Sequence, residues 1–308
     1  MADKRTIAEA LGAIDADRIW FDEPMARHAS LKLGGVVDAL ALPENEQQLG
    51  LVVCALKEKG IAFVPVGNLT NILVTDGGYR GVVLWLKLLD QIHIVPGSDD
   101  EFVIDAQAGA PLGRVVSLAA DEGLAGLEFV CGIPGSVGGA VRMNAGAYGK
   151  EMKDVLSDVR IINAAGRTET LPRGGINFFY RGSDIPAAAI ITGARFVVRK
   201  GDRVEIKKRM AEIQKQRREK HPLDYPSAGS VFKNPPGLFA GRLIEELGMK
   251  GRRLGDVQVS KKHANFIVNK GQGTASEMLE LIELIRDTVA RQKGVTLETE
   301  IVIIGDGR

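Results

Sequence analysis

The sequence predicts an α+β protein in which a long mixed region is followed by a smaller C-terminal one. Apolar runs of strand length alternate with helix-period patterns through the first two thirds of the chain. A strongly basic helical stretch, Glu205 to Lys220, then breaks the alternation and stops at Pro222, and the division between regions falls just before it. Beyond it, the last third carries its own amphipathic helix and a terminal strand.

Leu49, Val52, Val53 and Leu56 share one helical face that ends at Gly60, a residue type that closes helices by accepting the left-handed conformation. Ile61 to Val66 follows as a buried strand. Val82 to Leu86, Phe102 to Asp105, Val155 to Ile162 and Ala188 to Val198 have the same length and apolar character. Pro111 to Glu122 reads as a helix with proline at its start and Gly123 just past its end. In the basic helix Ile206, Met210 and Ile213 form the only apolar stripe, so one narrow face is buried and the rest is solvated. Thr274 and Glu277 stand three apart as a capping box. Met278, Leu281, Ile282, Ile285 and Val289 then make one apolar face ending at Gly294, and Thr296 to Ile304 reads as the last strand.

With 308 residues, 45% of them hydrophobic and 26% charged, the chain has length for about two domains and a substantial core. Its 40 Lys and Arg nearly balance 39 Asp and Glu, which leaves no global field for nucleic acid or an anionic membrane, so any anion site has to be local. The run from Lys207 to Lys220 is interspersed with Glu212 and Glu219 and has no aromatic residue for base stacking, so a solvated helix face is expected there and no nucleic-acid site. Cys54 and Cys131 have no CxxC pairing and are expected as small core residues in a reducing compartment. The stretch MADKRTIAEALGAIDADR scatters charge where a leader needs an apolar run, and nowhere do about eighteen apolar residues follow one another. A cytoplasmic protein without membrane association is expected. His28, His93, His221 and His263 lack metal-ligand spacing, so no metal is expected either.

The densest signal is GIPGSVGGAVRMNAGAYG, Gly132 to Gly149, which has more glycine than a connection requires. Backbone without side chains can turn its N–H groups onto an anion, and a diphosphate is the expected guest. Val66 to Gly81 (VGNLTNILVTDGGYRG) follows a strand and supplies the turn residues Gly67, Asn68 and Asn71, a second wall for a large cofactor. A Rossmann unit fits poorly, because Gly132, Gly135, Gly138 and Gly139 are not spaced as G-x-G-x-x-G opening a long helix, and no acidic residue stands at the ribose position. Gly149-Lys150 is followed by Glu151 rather than Ser or Thr, which excludes a Walker A loop. A nucleotide cofactor held by loops remains, and flavin adenine dinucleotide (FAD) suits it.

Six motifs stand in a fixed order: GIPGSVGGAVRMNAGAYG, YRGSDIP (Tyr180 to Pro186), SAGSVFKNP (Ser227 to Pro235), AGRLIEELGMKG (Ala240 to Gly251), VSKKHANFIVN (Val259 to Asn269) and LETEIVIIG (Leu297 to Gly305). In that order, and from SLKLGG at Ser30 onward, the chain resembles the UDP-N-acetylenolpyruvoylglucosamine reductase (MurB) family. The resemblance implies an N-terminal segment 1–33, a two-lobed FAD-binding domain of the vanillyl-alcohol oxidase (PCMH) type over 34–200, and an α+β substrate-binding domain over 201–308. It also implies non-covalent FAD, NADPH as electron donor, and UDP-N-acetylglucosamine enolpyruvate as the substrate, reduced to UDP-N-acetylmuramate for peptidoglycan synthesis. The short interval between Arg181 and Ser230 resembles the type II branch, which lacks a substrate-covering tyrosine loop. A monomer is expected.

Reducing an enolpyruvyl ether means placing a hydride from reduced flavin on the terminal CH2 carbon, which leaves negative charge shared between the neighbouring carbon and the carboxylate. Arg181 is always cationic and its planar fork matches a carboxylate bidentately, so chemistry and resemblance agree on it as the carboxylate and enolate stabiliser. By resemblance Ser230 protonates the carbanion, a role open to so weak an acid only beside a strong base. Glu300, also by resemblance, polarises the carboxylate or supports the proton transfer. The expected cofactor contacts are Gly67, Asn68, Leu69, Thr70 and Asn71 in one loop, and Gly132, Ile133, Pro134, Gly135, Ser136, Gly138, Gly139, Asn144, Gly146 and Ala147 in the other. Tyr180, Lys233, Asn234 and Gln258 are the expected substrate contacts, the lysine and amides suiting diphosphate oxygens. His263 is expected to be structural. GNLTN departs from the family in having Leu69 and Thr70 where glycine and serine are common, so a positive φ at position 69 would bear on flavin affinity. Val302 stands where a basic residue is common. A flavin oxidase of the same cofactor fold, and a nucleotide-sugar-binding protein without flavin, are the other readings.

Overall fold

The computed structural model describes residues 3–98 and 100–305. The chain forms two compact units that are interleaved in sequence: the first takes residues up to 21, 39–68 and 81–216, the second 22–38, 69–80 and those from 217 on. Sequence alone predicts three consecutive regions divided at 33 and 200, and packing explains the difference. Ile213 lies in the core of the first unit and Met210 packs against it, which carries the chain beyond 200 into that unit. Leu31 and Leu33, assigned from sequence to an N-terminal segment, are buried in the core of the second.

In the first unit, residues 63–66 pair in parallel with 82–85. Helix Glu46–Glu58 starts where Asn45 Oδ1 accepts the Gln48 amide and buries the expected face of Leu49, Val52, Val53 and Leu56. A second, antiparallel sheet runs in the order Thr168–Pro172, Leu156–Ile162, Ile190–Lys200, Glu101–Gln107, Ile92–Pro96. Its long central strand begins two residues later than its apolar run predicts, because Ala189 is taken up in a turn with its amide on the Pro186 carbonyl at 3.0 Å. Helix Leu112–Asp121, with Pro111 before it, buries Leu112, Val115, Val116 and Ala119. Helix Arg203–Lys220 buries only Ile206 and Ile213, the narrow stripe its sequence predicts.

The second unit holds an antiparallel sheet of order Ser227–Ser230, Phe266–Asn269, Val257–Val259, Arg253–Leu254 and the helix Ala275–Lys293. The helix starts in the predicted capping box of Thr274 and Glu277 and ends at Gly294, whose φ is 66°. Its apolar face is buried throughout, Met278, Leu281, Ile285 and Val289 completely. The predicted terminal strand is divided between two partners. Val302–Ile304 pairs in parallel with Ile72–Val74, while Thr299 bridges Phe232, so the nine extended residues do not form one ladder. Among the described residues no helix is long and apolar enough to cross a membrane.

Candidate active site

The glycines of Gly132 to Gly149 have different reasons to be glycine. Tyr148 (φ 55°) and Gly149 (φ 80°) form the two-residue turn between the paired residues Ala147 and Lys150, and two positive φ values mark a type I′ hairpin. Gly146 and Gly138 are required by packing, since a Cβ would lie 2.6 Å from the Lys150 carbonyl oxygen in the first case and 2.8 Å from Ala108 Cβ in the second. Gly132 (φ 76°) and Gly135 (φ 152°) instead turn the backbone, and no protein acceptor among the described residues takes their N–H groups. The short helix Val137–Arg142 follows, with Gly139 exposed on it and Ser136 Oγ accepting the Gly139 amide at 3.4 Å.

The loop at Gly67 closes directly on this segment. A Cβ at Gly67 would lie 2.1 Å from Ser136 Oγ, and Asn68 Nδ2 donates to the Gly135 carbonyl at 3.0 Å. The amides of Gly67 and Asn68 also meet no protein acceptor among the described residues. Main-chain amides converging from two loops are the donor set a diphosphate needs, so these residues fit FAD. Ile133 and Ala147 are half-buried beside them and Pro134 is exposed. Leu69 has φ 54° and is buried; the positive φ that its position raised as a question is present. Thr70 is half-buried, and Asn71 Nδ2 donates to the Glu300 carbonyl at 3.1 Å.

Asn144 is wholly buried, and its side chain is engaged with protein. Its Nδ2 donates to Glu151 Oε2 at 3.0 Å and to the Phe179 carbonyl at 3.1 Å, and its Oδ1 accepts the Lys153 amide at 3.1 Å. With both N–H donors used, it serves as an anchor for the hairpin Phe178–Phe179 with Gly182–Ser183. The two loop residues of that hairpin are Tyr180 and Arg181. Arg181 has φ 58° at the second loop position, a conformation usually left to glycine or asparagine and costing about 1–3 kcal/mol elsewhere. Its guanidinium carbon lies 4.9 Å from the Tyr180 ring centroid, and one of its N–H groups donates to the Gly146 carbonyl at 3.3 Å. From the end of helix Val137–Arg142, Arg142 donates to the carbonyls of Ile185, Pro186 and Ala189 at 2.8, 3.2 and 2.6 Å, burial pushing its guanidinium below the usual arginine range.

Ser230 and Glu300 come from the second unit. Ser227 faces Val268 but Ser230 faces Phe266, so the strand contains one extra residue, and Gly229 at φ 77° makes the bulge. Past the bulge, residues 231–233 run antiparallel to 298–300. The Glu300 amide donates to the Val231 carbonyl at 2.7 Å and the Lys233 amide to the Glu298 carbonyl at 2.9 Å. Ser230 therefore immediately precedes the residue to which Glu300 is bonded. Lys233 Nζ pairs with Glu298 at 3.3 Å, Asn234 Oδ1 accepts the Ala240 amide at 3.0 Å, and Gln258 Nε2 donates to the Gly251 carbonyl at 3.0 Å. His263 packs against Phe266 and His221, with ring centroids 4.9 and 5.6 Å away. Burial pushes both imidazoles down, His221 to about 4, with Arg217, His263, Lys220 and Lys262 adding to the effect on His221. Both are neutral at pH 7. Asn265, passed over in the sequence, bonds the main chain of Phe232 through both ends of its side-chain amide. A shallow cleft of about 460 Å³ lined by Glu128, Asp202, Glu205 and Arg209, among others, shares no residue with these loops.

Residues 221–304 match the family model for the C-terminal domain of UDP-N-acetylenolpyruvoylglucosamine reductase, and residues 37–172 match that for a FAD binding domain. The chain is similar to the UDP-N-acetylenolpyruvoylglucosamine reductase of Syntrophus aciditrophicus, 44% identical over 300 residues covering 97% of this chain and 96% of that one. The Geobacillus kaustophilus reductase is 45% identical over 286 residues, 92% of each chain. Among solved structures, MurB from Thermus caldophilus aligns with a TM-score of 0.78 at 34% identity, over 93% of this chain and 98% of that one. Alkyldihydroxyacetonephosphate synthase aligns with a TM-score of 0.51 at 16% identity over 65% of this chain, a likeness of fold alone. With the two-lobed FAD-binding fold of the vanillyl-alcohol oxidase type, an α+β C-terminal domain and relatives matched along more than nine tenths of their length, the chain belongs to the UDP-N-acetylenolpyruvoylglucosamine reductase family.

Proposed function

We propose that the chain reduces UDP-N-acetylglucosamine enolpyruvate to UDP-N-acetylmuramate with NADPH as electron source, and that Arg181, Ser230 and Glu300 are its reacting side chains. The reaction class follows from the family and its FAD-binding domain. The residue roles are supported above all by the pairing of 231–233 with 298–300, which brings the segments carrying Ser230 and Glu300 together.

In the net reaction the carbon–carbon π bond is lost, a hydride adds to the terminal carbon and a proton to its neighbour, and NADPH is oxidised to NADP⁺. Bound FAD supplies two-electron hydride chemistry between nicotinamide and substrate. The amides of Gly67, Asn68, Gly132 and Gly135 would hold its diphosphate. Arg181 takes the substrate carboxylate in its fork and stabilises the charge that the hydride leaves behind. Its backbone is preset in a tight hairpin, so little ordering remains to be done when substrate arrives. The Ser230 hydroxyl gives its proton to the carbanion and recovers one from solvent, and Glu300 polarises the carboxylate. Tyr180, Lys233, Asn234 and Gln258 hold the diphosphate and sugar. For Lys233 this means leaving Glu298, an exposed ion pair worth about 0–1 kcal/mol and so readily exchanged for a phosphate. Both cysteines are free, which supports the reducing cytoplasm as the compartment.

Purified protein should be yellow and release flavin on denaturation, and its oxidation of NADPH should depend on the enolpyruvyl substrate. Rapid reoxidation by oxygen with indifference to UDP sugars would mark a flavin oxidase instead. Ser230→Ala should lower turnover about 10²- to 10⁴-fold, the range for a positioned acid. Wild-type turnover in that variant would remove Ser230 from the mechanism.

A further inference from the structure

We propose that Asn265 is a positioning residue for proton delivery, acting on Ser230 and Glu300 through the backbone of Val231 and Phe232; this rests on the roles given above to Ser230 and Glu300. The ladder between Ser227–Ser230 and Phe266–Asn269 stops at Ser230, opposite Phe266. Its continuation would need main chain beside Phe232, but the partner turns away, the Phe266 amide bonding to the His263 carbonyl at 2.9 Å. Asn265 supplies the missing position with its side chain. Its backbone carbonyl accepts the Val231 amide at 2.8 Å, its Oδ1 accepts the Phe232 amide at 3.0 Å, and its Nδ2 donates to the Phe232 carbonyl at 2.8 Å.

Asn265 is 4% exposed and Phe232 1%, so water is no alternative partner for either main-chain group of Phe232. Along the same segment, the Val231 carbonyl takes the Glu300 amide at 2.7 Å, and Thr299 bridges Phe232. One amide side chain therefore fixes the segment that Ser230 leads into and Glu300 is paired with. The bulge at Gly229 makes this necessary. An extra residue breaks the phase of the strand before it, so the direction of Ser230 is set by what holds 231 and 232. The chemistry is specific to asparagine: aspartate offers two acceptors and no donor, leucine offers neither, and glutamine carries the same pair one methylene too far.

The test compares flavin-loaded wild type, Asn265→Asp, Asn265→Gln and Ser230→Ala. For each, the readouts are reduction of the bound flavin by NADPH, kcat and KM, the solvent deuterium isotope effect on kcat, and hydrogen exchange of the 231–233 amides. Asn265→Asp should keep flavin and its reduction by NADPH while kcat falls about 10²-fold, the scale of an ångström-level misplacement. KM should change little, the isotope effect should rise, and the 231–233 amides should exchange faster. Asn265→Gln should show the same split with a loss of about tenfold, and it decides the matter alone if Asn265→Asp cannot be purified. Wild-type kcat and isotope effect in the Asn265 variants would overturn the proposal. Loss of NADPH-driven flavin reduction in the same proportion as kcat would overturn it too, since that signals general damage. Wild-type turnover in Ser230→Ala would sink the proton-donor role and this proposal with it, whereas a slow Ser230→Ala beside fast Asn265 variants sinks this proposal only.

Discussion

Leu69 sets two costs against each other. Its φ of 54° carries a penalty of about 1–2 kcal/mol for a residue with a Cβ, while complete burial of a leucine is worth about 2–5 kcal/mol against truncation. Burial wins. Leu69→Gly should therefore destabilise the protein by about 1–3 kcal/mol in urea unfolding, the strain relief only partly offsetting lost packing. Flavin affinity should stay within a few-fold, because the backbone shape is already the one glycine prefers; a more stable Leu69→Gly variant would show that strain dominates. At Gly67 there is no such contest. A methyl there would lie 2.1 Å from Ser136 Oγ, which must swing off the Gly139 amide that it caps, and 3.2 Å from Ser136 Cβ; Gly67→Ala should bind flavin more weakly, read as a lower flavin content of the purified protein, with an overpacking cost of about 1–3 kcal/mol. At this scale, the glycine-rich segment itself was legible from sequence, but not the division of labour within it. Gly138, Gly146 and Gly149 answer to Ala108, to Lys150 and to a hairpin, and Asn144 to Glu151 and Phe179, all partners that only the folded chain brings near.

Among the elements, helix Ala275–Lys293 owes its start to a residue distant in sequence as well as to its own capping box. Both carboxylate oxygens of Asp76 accept main-chain amides there, Ala275 at 2.9 Å and Ser276 at 2.8 Å, and the Ser276 hydroxyl adds a third bond at 2.6 Å. Desolvation opposes ionisation of Asp76, but the Ser276 hydroxyl and the two amides outweigh it and hold the carboxyl below its usual range. A lowered folded value means the contribution is complete above the unfolded aspartate value of about 3.9 and is lost as pH falls through the lower folded one. Asp76→Ala should cost about 0.5–2 kcal/mol at pH 7, and the difference from wild type should shrink toward pH 3. A second example is Gly193, which interrupts the apolar run of strand Ile190–Lys200. The Arg160 guanidinium crosses above it to reach both oxygens of Asp105 at 2.7 and 2.8 Å, and a Cβ at Gly193 would lie 2.3 Å from a guanidinium nitrogen. The long helices and apolar strands were readable because period and caps agree over many residues. Strands such as Arg253–Leu254 or Val257–Val259 are too short to show a period, and the split of Thr296 to Ile304 was hidden because its two partners lie in different parts of the chain.

For the molecule as a whole, pH sensitivity should be concentrated in the second unit. His221, pushed down to about 4 first by burial and then by Arg217, His263, Lys220 and Lys262, is neutral when folded and binds a proton more readily when unfolded. Its effect is therefore felt as stability lost while pH falls from about 6.5, the ordinary histidine value, toward about 4. His221→Gln should flatten the dependence of the urea midpoint on pH in that window; an unchanged slope would acquit the residue. The units themselves trade the chain five times. A fragment of residues 217–308 alone lacks Leu31, Leu33 and Leu73 from its core and the Ile72–Val74 partner of Val302–Ile304, and should give the circular dichroism of an unfolded peptide. The same weave governs birth on the ribosome. Leu31, Leu33 and Leu73 emerge early, yet the surfaces that will cover them are translated last, so the second unit can consolidate only when synthesis is almost finished. Until then those leucines are clients for whatever shields nascent apolar segments, and a ribosome that stalls past the midpoint releases a chain whose second unit cannot close.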